Sequence, residues 1–479
     1  MMFEEHLETT CGCVVGGAGL AGMGFLFNAL KSGTLADIAR DGLIVVDASD
    51  NPGTGVLGQY RITANSVGDV FIDCLRDPAL SEVFEPLEYS PAYWRIRGQA
   101  QSAPQLSDVG ELMAEASRLL LDHIVRHHGV KIWRCTTITE VICDEDGYCL
   151  KVETEGCMRL IHTRTLVLNL GGRQDAQHLV RGLAQEGLVL PASMNIQSSD
   201  QLLRMNAIQL REVFAPALAS GRRITVVGGS HSAFSVLENL ADALEFAGLQ
   251  EVTLIHRTRI RLFYESAEQA LAAGYEFDPQ ADICPVSGRI NRSGGLRYRA
   301  LDIGCEALRN GRIGKTGVRV QLLQTHGGPP GHYEKAEQAL AESGVVVQCT
   351  GYQPRLPSLT WLDGRVIRLS ETKGGLDSDA SGCPLDQFGR RLKGLHLFGI
   401  GAGLKADPLL GSEPSFDGRI YGVWQFHHDA SRAVIDAVLA RLQDKTLSLE
   451  PSRQNQVLQL EERAPVWAPQ TSLVLNFQG

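Results

Sequence analysis

The chain has 479 residues, more than one hydrophobic core usually supports, so we expect two or three domains. Hydrophobic residues make up 44% of it and charged residues 21%, which is typical of a globular protein and excludes a disordered or fibrous one. The net charge of −10 argues against nucleic acid or an anionic membrane surface as a partner, because both would be repelled.

The eleven cysteines lie scattered along the chain and form no C-x-x-C pair, so a dithiol centre or a four-thiolate zinc site lacks its usual spacing. The first ten residues, MMFEEHLETT, are acidic where a secretory signal would be basic. Charges interrupt every apolar stretch before it reaches the length of a membrane span. We therefore expect a reduced, soluble, cytoplasmic protein without a bound metal.

A β-α-β unit opens the chain. The apolar run in CGCVVGGAGLAG predicts a buried strand and a glycine-rich turn, and small residues from Leu20 to Lys31 predict a helix. A second apolar run, Leu43 to Val46, ends at Asp47. The unit is typical of a nucleotide-binding fold.

The glycine turn of this unit, Gly17-Ala18-Gly19-Leu20-Ala21-Gly22, fits the pattern G-x-G-x-x-G. The first glycine permits the tight turn, the second lets the backbone approach a diphosphate, and the third lets the helix pack against the strand. The diphosphate would lie at the positive end of the helix, and Asp47 would accept hydrogen bonds from a ribose. A purely structural glycine turn is the alternative, but the flanking strand, helix and acid favour dinucleotide binding.

Residues 53 to 104 are irregular and rich in glycine, proline and aromatics, which indicates an insertion that lies over the cofactor and outside the sheet. The next segment has apolar residues at helical spacing and predicts a helix whose core-facing residues are Leu112, Met113, Leu119, Leu120, Ile124 and Val125. Alternating strands follow, with turns at Asp146-Gly147 and Glu155-Gly156.

A second strand-turn-helix unit begins at Arg223 and carries the turn Gly228-Gly229-Ser230-His231-Ser232-Ala233, a G-x-S-x-x-A variant. Its next strand ends in His256-Arg257-Thr258-Arg259 and offers no acid. A basic residue there could pair with a 2′-phosphate, which selects NADPH over NADH. We assign this role to Arg257 before Arg259; the alternative is a solvated charge cluster.

Two further strands, in Leu166–Gly172 and Val345–Tyr352, each end at a glycine turn and bracket the second unit. If these are the two crossover strands between the units, they predict that the second unit is a domain inserted into the first. If they are simply two core strands, the predicted fold is the same. The predicted fold is α/β, with two Rossmann-like three-layer dinucleotide-binding domains, the NADPH domain inserted into the FAD domain. The predicted boundaries are 1–173 and 350–479 for the FAD domain, the latter with a C-terminal tail left uninterpreted, and 174–349 for the NADPH domain.

The motifs GAGLAG, GGSHSA and Cys349-Thr350-Gly351-Tyr352 together resemble those of the class B flavin-dependent monooxygenases, and especially the branch that N-hydroxylates ornithine and lysine. In that branch the second turn is commonly followed by Ser-Ala, as at Ser232-Ala233, and an A-T-G-Y motif stands where this chain has Cys349 to Tyr352. The resemblance covers most of residues 11 to 440, although only these motifs are specific.

The resemblance implies that NADPH reduces FAD, that the reduced flavin takes up O₂, and that a C4a-hydroperoxyflavin hydroxylates a small molecule, foremost at an amine nitrogen of an amino acid or natural-product intermediate. The flavin carries this chemistry, while the protein supplies binding and a dry pocket. No catalytic side chain, triad or metal is predicted. The predicted cofactor-binding residues are Gly17, Ala18, Gly19, Leu20, Gly22, Asp47, Gln59, Gly228, Ser230, His231, Ser232, Ala233, Arg257, Gly351, Gly399 and Gly401.

Some features depart from the family. The fingerprint F-x-G-x-x-x-H of the Baeyer-Villiger enzymes is absent, the region from Gln59 to Pro78 shows no equivalent of the lysine that holds an amino-acid substrate, and LHLFGIGAG lacks an acid for the flavin ribityl chain. The substrate therefore stays open. Further candidates for flavin or substrate contact are Gln59, Tyr60, Asn65, Trp424, Gln425 and His427.

Two other functions fit the same fold: an FAD- and NAD(P)H-dependent oxidoreductase or oxidase that transfers no oxygen, and a noncatalytic flavin-binding redox sensor. The predicted partners are a small-molecule substrate and O₂; assembly into a homo-oligomer stays open.

Overall fold

The computed structural model describes residues 8–144, 146–372, 375–402, 404–405, 411–420 and 431–444. Two sheets built largely from parallel strands organise these residues. The strands are β1 (Glu8–Gly16), β2 (Leu43–Val46), β3 (Lys131–Trp133), β4 (Thr136–Cys143), β5 (Tyr148–Thr154), β6 (Cys157–Leu168), β7 (Gly172–Arg173), β8 (Asn195–Ser198), β9 (Arg223–Val227), β10 (Glu251–His256), β11 (Arg319–Gln324), β12 (Ser343–Gln348), β13 (Gln353–Pro354), β14 (Ser358–Trp361), β15 (Glu371–Thr372), β16 (Gly375–Leu376), β17 (Leu395–Leu397), β18 (Leu404–Lys405) and β19 (Arg419–Ile420).

The helices lie between and beside these strands. They are α1 (Leu20–Lys31), α2 (Leu35–Ala39), α3 (Gly68–Asp73), α4 (Ser81–Phe84), α5 (Pro91–Arg97), α6 (Leu106–His128), α7 (Ala176–Gln185), α8 (Ser199–Leu202), α9 (Ala207–Ala219), α10 (His231–Leu244), α11 (Ala267–Ala272), α12 (Tyr298–Asn310), α13 (His332–Glu342) and α14 (Arg432–Gln443). Short 3₁₀ turns cover Leu57–Gln59, Cys74–Arg76, Pro78–Leu80, Glu85–Tyr89 and Glu245–Ala247. Within the described residues, no helix is both long and apolar enough to cross a bilayer.

The larger sheet has eight strands in the order β14-β4-β5-β6-β1-β2-β3, with β17 also beside β6. Strand β1 is parallel to both neighbours, β2 and β6, and its last six residues are buried, as the apolar run predicted. Strand β6 pairs antiparallel with β5 through its first half and parallel with β17 through its second half. A parallel Rossmann sheet and an antiparallel meander thus share one long strand.

The smaller sheet has five parallel strands in the order β11-β10-β9-β12-β8. Buried residues of α9, α10 and α12 pack on one face, and those of α7 and α13 pack on the other. The sheet lies between β6 and β14 in the chain, so one Rossmann-like domain is inserted into another, and the predicted fold class is confirmed. The exact domain boundaries stay a prediction. Sequence reasoning missed three edge strands, β8 and β11 of this sheet and β14 of the larger one.

The two chain segments that connect the larger and the smaller sheet contact each other. Strand β7 leaves the larger sheet, β13 returns from the smaller one, and the two pair antiparallel, with Gln353 opposite Arg173 and Pro354 opposite Gly172. The connections therefore form one two-stranded ribbon.

The insertion at residues 53–104 joins neither large sheet in the described structure, as predicted, but it is more regular than its sequence indicates, since it holds α3, α4 and α5. Its buried side chains pack against α1 and α6.

In α6 the structure corrects the predicted position of one residue. Leu112, Met113, Leu120 and Ile124 are buried and Leu119 is partly buried, but Val125 is 41% exposed. Leu121 is buried instead, because it lies on the helical face that continues Ile124.

Candidate cofactor and substrate site

The two glycine turns open onto one cleft of about 1940 Å³ between the two sheets. The first turn contributes Gly17, Gly19 and Leu20, and the second contributes Gly228, Gly229 and the three residues after them. Each turn follows a buried strand and precedes a helix, α1 or α10. Both helices therefore direct their free N–H groups and positive ends toward the same space.

The first turn has room for a ligand only where a dinucleotide would need it. Gly17 has φ of 87°, and a Cβ there would lie 2.4 Å from the carbonyl oxygen of Asn169. A Cβ on Gly22 would lie 2.0 Å from the oxygen of Gly17, because helix and turn are in close contact. A Cβ on Gly19 would meet nothing nearer than Gly55, at 3.8 Å. The open position is thus the one at which a diphosphate would approach the backbone.

Asn169 gives an independent sign that a ligand belongs here. Its side chain is only 6% exposed and lines the cleft beside the first turn. Neither its Nδ2 nor its Oδ1 has a hydrogen-bond partner among the described residues. Because an unsatisfied buried amide is costly, these atoms fit a polar ligand such as a flavin dinucleotide. Sequence reasoning missed Asn169, which directly follows β6.

Asp47 closes the first turn from the end of β2. Its Oδ2 accepts from the backbone N–H of Ala18 at 2.6 Å, and its Oδ1 accepts from the N–H and the hydroxyl of Ser49. The carboxylate also lines the cleft. It is therefore oriented by the protein itself, and its contact with a ribose stays a prediction.

The second turn repeats this geometry in the smaller sheet. Gly228 has φ of 141°, and a Cβ there would lie 2.3 Å from the oxygen of Cys349. Ser230 precedes α10 with extended backbone and makes no side-chain capping bond. Ser230, His231 and Ser232 face the cleft, while Ala233 is buried in the core. The first turns of both helices are thus built alike.

His231 is held as a neutral imidazole. Its Nε2 lies 3.1 Å from the backbone N–H of Arg297 and accepts a hydrogen bond from it. Burial, aided by the charge of Arg297, lowers the pKa of His231 from 6.5 to about 4. The second turn therefore stays tied to the N-terminus of α12 at neutral pH.

The two arginines after β10 differ in their contacts. Arg259 donates to the oxygen of Glu276 and pairs with Asp282 at 2.7 Å. Arg257 is exposed, lines the cleft and has no side-chain partner in the described part of the chain. Of these two arginines, Arg257 is the one whose side chain makes no contact of this kind, and its contact with a phosphate stays a prediction.

The remaining predicted residues divide into two groups. Gln59, Tyr60, Asn65 and Gly399 line the cleft. Five predicted residues do not line it: Ala18, Gly22, Ala233, Gly351 and Gly401. Gly401 has a structural reason to be glycine, since a Cβ there would lie 2.4 Å from the nitrogen of Pro354. Trp424, Gln425 and His427 lie outside the described residues.

A polar cluster crosses the cleft, and of its members the sequence indicated only Gln59 and Tyr60. Asp200 on α8 accepts from Tyr60 at 2.5 Å and from Tyr352 at 3.3 Å, and it pairs with Arg204 at 2.5 Å. Arg204 also donates to Gln59. Burial and the Asp200 carboxylate raise the pKa of Tyr60 to about 12, so its phenol stays protonated. These residues come from chain positions up to 293 apart, and no local pattern joins them.

The far wall of the cleft carries a second unpredicted group. Arg261, Arg292 and Arg297 line it beside Ser412 and Ser415. Glu413, fully buried, accepts from the backbone N–H groups of Ser293 and Gly294 at 2.8 Å each. The segment that contains Glu413 thereby joins the returning part of the chain to the inserted domain.

No protein-family model matches the chain. A curated relative, the CMP-5′-(3-aminopropyl)phosphonate hydroxylase of Streptomyces rubellomurinus (strain ATCC 31215), is 32% identical over 441 residues, which are 89% of this chain and 97% of the relative. The chain belongs to this family, within the N-hydroxylating class B flavin-dependent monooxygenases. The predicted kinship, the enzyme class and the two cofactors, FAD and NADPH, are confirmed at the level of the family.

Two solved structures share the fold of this monooxygenase. The ornithine N-hydroxylase of Kutzneria sp. 744, determined with reduced FAD, NADP⁺ and L-ornithine, has a TM-score of 0.52 at 13% identity and covers 90% of this chain and 99% of its own. The ornithine hydroxylase of Pseudomonas aeruginosa has a TM-score of 0.51 at 11% identity and covers 91% and 100%. At these identities the likeness concerns the fold.

Proposed function

We propose that this protein uses NADPH and FAD to hydroxylate the primary amine nitrogen of a small molecule. The observation that carries the proposal is the single cleft onto which both dinucleotide turns open, in a chain 32% identical to an aminopropylphosphonate hydroxylase. A shared cleft lets a reduced nicotinamide meet a flavin. The reaction class follows from the family, and the choice of a primary amine follows from that relative.

The chain's own residues would bind and orient the two cofactors. At the first turn, α1 would hold the FAD diphosphate, Asp47 a ribose, and the unpaired amide of Asn169 a further polar group. At the second turn, α10 and Ser230 would hold the NADPH diphosphate, and Arg257 its 2′-phosphate. We retain the predicted set of cofactor-binding residues as part of this proposal, together with residues 174–349 as the NADPH domain.

When bound and reduced, the flavin supplies the oxygen-activating chemistry, which we propose to run through the predicted C4a-hydroperoxyflavin. The protein must then keep water out. Tyr60 lies in the insertion and Tyr352 beside the returning ribbon, and both hydrogen-bond to Asp200 of the inserted domain. These contacts would seal the cleft at the junction of three segments.

The test uses the purified protein loaded with FAD. NADPH is added in air with a series of primary amines, and oxygen uptake is compared with hydroxylamine formed, with boiled protein and an amine-free reaction as controls. Near-equal oxygen uptake and hydroxylamine with one amine supports the proposal. Hydrogen peroxide alone with every amine would indicate an oxidase, and a flavin that NADPH does not bleach would indicate a sensor.

A further inference from the structure

Two glycines are in contact where the insertion packs on α6. Gly110 lies near the start of that helix, and Gly58 lies in the 3₁₀ turn Leu57–Gln59. A Cβ on Gly110 would lie 2.3 Å from the Cα of Gly58 and 2.8 Å from its backbone nitrogen. The two backbones therefore approach each other more closely than any side chain at position 110 would permit.

We propose that this glycine contact positions the two domains for hydride transfer. It sets how far residues Gln59–Ile62, which we call the bridging segment, reach across the cleft to the inserted domain. Gly110 is then a positioning residue that acts through the bridging segment. The inference concerns the delivery of hydride from NADPH to FAD, so it goes beyond the proposed function and does not depend on which amine is hydroxylated.

The helix itself does not explain a glycine at position 110. Glycine is a poor helix former, because it loses more conformational freedom on folding than alanine does. Gly110 is nevertheless buried within α6, next to the fully buried Val109 and near Leu112. The close approach of Gly58 is the physical reason that the structure offers for this choice.

The bridging segment is fixed to α6 at both of its ends. Before it, Gly58 contacts Gly110, and Leu57 packs against the core that contains α1 and α6. At its end, the backbone oxygen of Ile62 accepts a 2.9 Å hydrogen bond from the N–H of Leu106, the first residue of α6. A displacement at the glycine contact is therefore transmitted to the segment that follows it.

The bridging segment contacts the inserted domain at the end of α8. The side-chain oxygen of Gln59 accepts from the guanidinium of Arg204 at 3.2 Å. The backbone N–H of Arg61 donates to the oxygen of Leu203 at 2.9 Å, and its side chain donates to the oxygen of Arg204 at 3.3 Å. Two of these three bonds end on backbone oxygens, so they fix the position of the chain.

Tyr60 and Ile62 strengthen the same contact. Both pack against the buried core of the inserted domain, and the phenol of Tyr60 donates to Asp200 on α8. Gln59, Tyr60 and Ile62 also line the cleft. A displaced segment would therefore shift the inserted domain, and with it a bound nicotinamide, relative to the flavin.

A methyl group at position 110 would force the two backbones apart. Carbon atoms in contact lie about 3.5–4.0 Å from each other, so a Cβ at 2.3 Å requires a shift of about 1 Å or more. Hydride transfer depends on the distance between donor and acceptor, and a misplacement of about 1 Å can lower a rate by about a hundredfold.

The experiment compares Gly110→Ala with Gly98→Ala. Gly98 is the control: it ends α5 in the same insertion, has helical backbone, lies outside the cleft, and a Cβ there would meet nothing nearer than 3.4 Å. Gly58→Val crowds the same glycine contact from its exposed side and is the second variant, in case Gly110→Ala does not fold. Tyr60→Phe and the double variant with Gly110→Ala test whether the glycine acts through the bridging segment.

Each FAD-loaded protein is mixed with NADPH in the absence of oxygen, and the limiting rate of flavin reduction is measured. Thermal melting and the FAD content show that each variant is folded and loaded. Because the assay contains neither amine nor oxygen, it does not depend on the proposed hydroxylation. Failure of every amine to yield a hydroxylamine would overturn the proposed function and not this inference.

We expect Gly110→Ala to lower the limiting rate of flavin reduction by about tenfold or more, and Gly58→Val to lower it in the same direction, with FAD still bound. Tyr60→Phe should lower it by a smaller factor, about threefold to tenfold. The double variant should be about as slow as Gly110→Ala alone, because the displaced segment has already lost the contact that Tyr60→Phe removes. Gly98→Ala should match the wild type.

Two results would overturn the inference. One is a folded Gly110→Ala, or a folded Gly58→Val if Gly110→Ala does not fold, that reduces its flavin as fast as Gly98→Ala does. The other is a double variant in which the effects of Gly110→Ala and Tyr60→Phe multiply, which would show that the glycine acts independently of the bridging segment.

Discussion

The phenol of Tyr60 donates a 2.5 Å hydrogen bond to the carboxylate of Asp200, although the two residues belong to different domains. Tyr352 donates to the same carboxylate, and Arg204 pairs with it. One acid therefore holds the insertion, the returning chain and the inserted domain together at the cleft.

Replacing this acid should loosen the junction. In Asp200→Asn, the ion pair with Arg204 is lost and the tyrosines have a weaker acceptor, so water should enter the cleft. We expect the yield of hydroxylamine per NADPH to fall by about threefold or more, with more peroxide, since a charged hydrogen bond contributes about 1.5–3 kcal/mol. Asp363→Asn, which breaks an exposed ion pair with Arg365 elsewhere, is the control. Unchanged coupling in Asp200→Asn would contradict this role.

Substitutions at the glycines of the first turn should distinguish effects on FAD binding from effects on stability. Gly19→Ala places a methyl group in open space, so the FAD-free protein should melt at nearly the wild-type temperature, while FAD binding weakens by about tenfold or more. Gly22→Ala collides with the oxygen of Gly17 and should reduce both properties. Thermal melting and flavin titration check this. Equal melting losses in the two variants would refute the assignment of the open side to a ligand.

The buried amide of Asn169 should matter only when flavin is bound. Asn169→Ala removes two atoms that lack partners in the described structure, so the FAD-free protein should lose little stability. The Kd for FAD should rise by about fivefold to tenfold, the value of one or two hydrogen bonds. Asn28→Ala is the matched control, because that buried amide donates to Ser431 and its loss should lower stability without this change in Kd. Flavin fluorescence titration measures the affinity.

The exposed Arg257 should set the preference between the two nicotinamide coenzymes. Arg257→Gln removes the unpaired cation, so the KM for NADPH should rise by about tenfold to a hundredfold while that for NADH changes little. Arg257→Lys should keep part of the preference. Steady-state kinetics with both coenzymes decides the point; a parallel rise for NADPH and NADH would count against a 2′-phosphate contact.

His231 should make stability depend on pH between about 6.5 and 4. Its pKa is lowered to about 4 in the folded protein, so below 6.5 the unfolded chain binds a proton that the folded protein does not. Its contribution to stability is complete above pH 6.5, falls as the pH drops, and is exhausted below about pH 4, a total change on the order of 3 kcal/mol. Denaturant unfolding at pH 7.5 and pH 5 should show a larger loss for the wild type than for His231→Asn. Equal losses would exclude the imidazole as the cause.

The sequence predicts much of the fold because local patterns decide it. The strand, glycine turn and helix at Gly17 and at Gly228 follow from buried apolar runs and from positions that tolerate no Cβ. The helices of the insertion, α3 to α5, were not predicted. They are short, so they show no clear periodic pattern, and packing against α1 and α6 stabilises them.

The cleft itself could be predicted only in part. The residues of the two glycine turns were predicted because dinucleotide binding requires a fixed spacing of small residues, which the sequence shows directly. Asp200 was missed because its contacts are with residues distant in the chain, and Asn169 because its side chain lacks a partner among the described residues; a linear pattern reveals neither. Val125 was wrongly predicted to face the core. Successive residues of a helix are rotated by about 100°, so the residue after the buried Ile124 points toward solvent.

The pairing of β7 with β13 bears on how the two domains can move. The two chain segments that connect the domains form one two-stranded ribbon, in which Gln353 pairs with Arg173. The two connections therefore cannot move independently of each other without breaking the pairing of β7 with β13. The contacts of Asp200 and Glu413 cross the same junction, so a rotation of the inserted domain away from the larger sheet would have to break them.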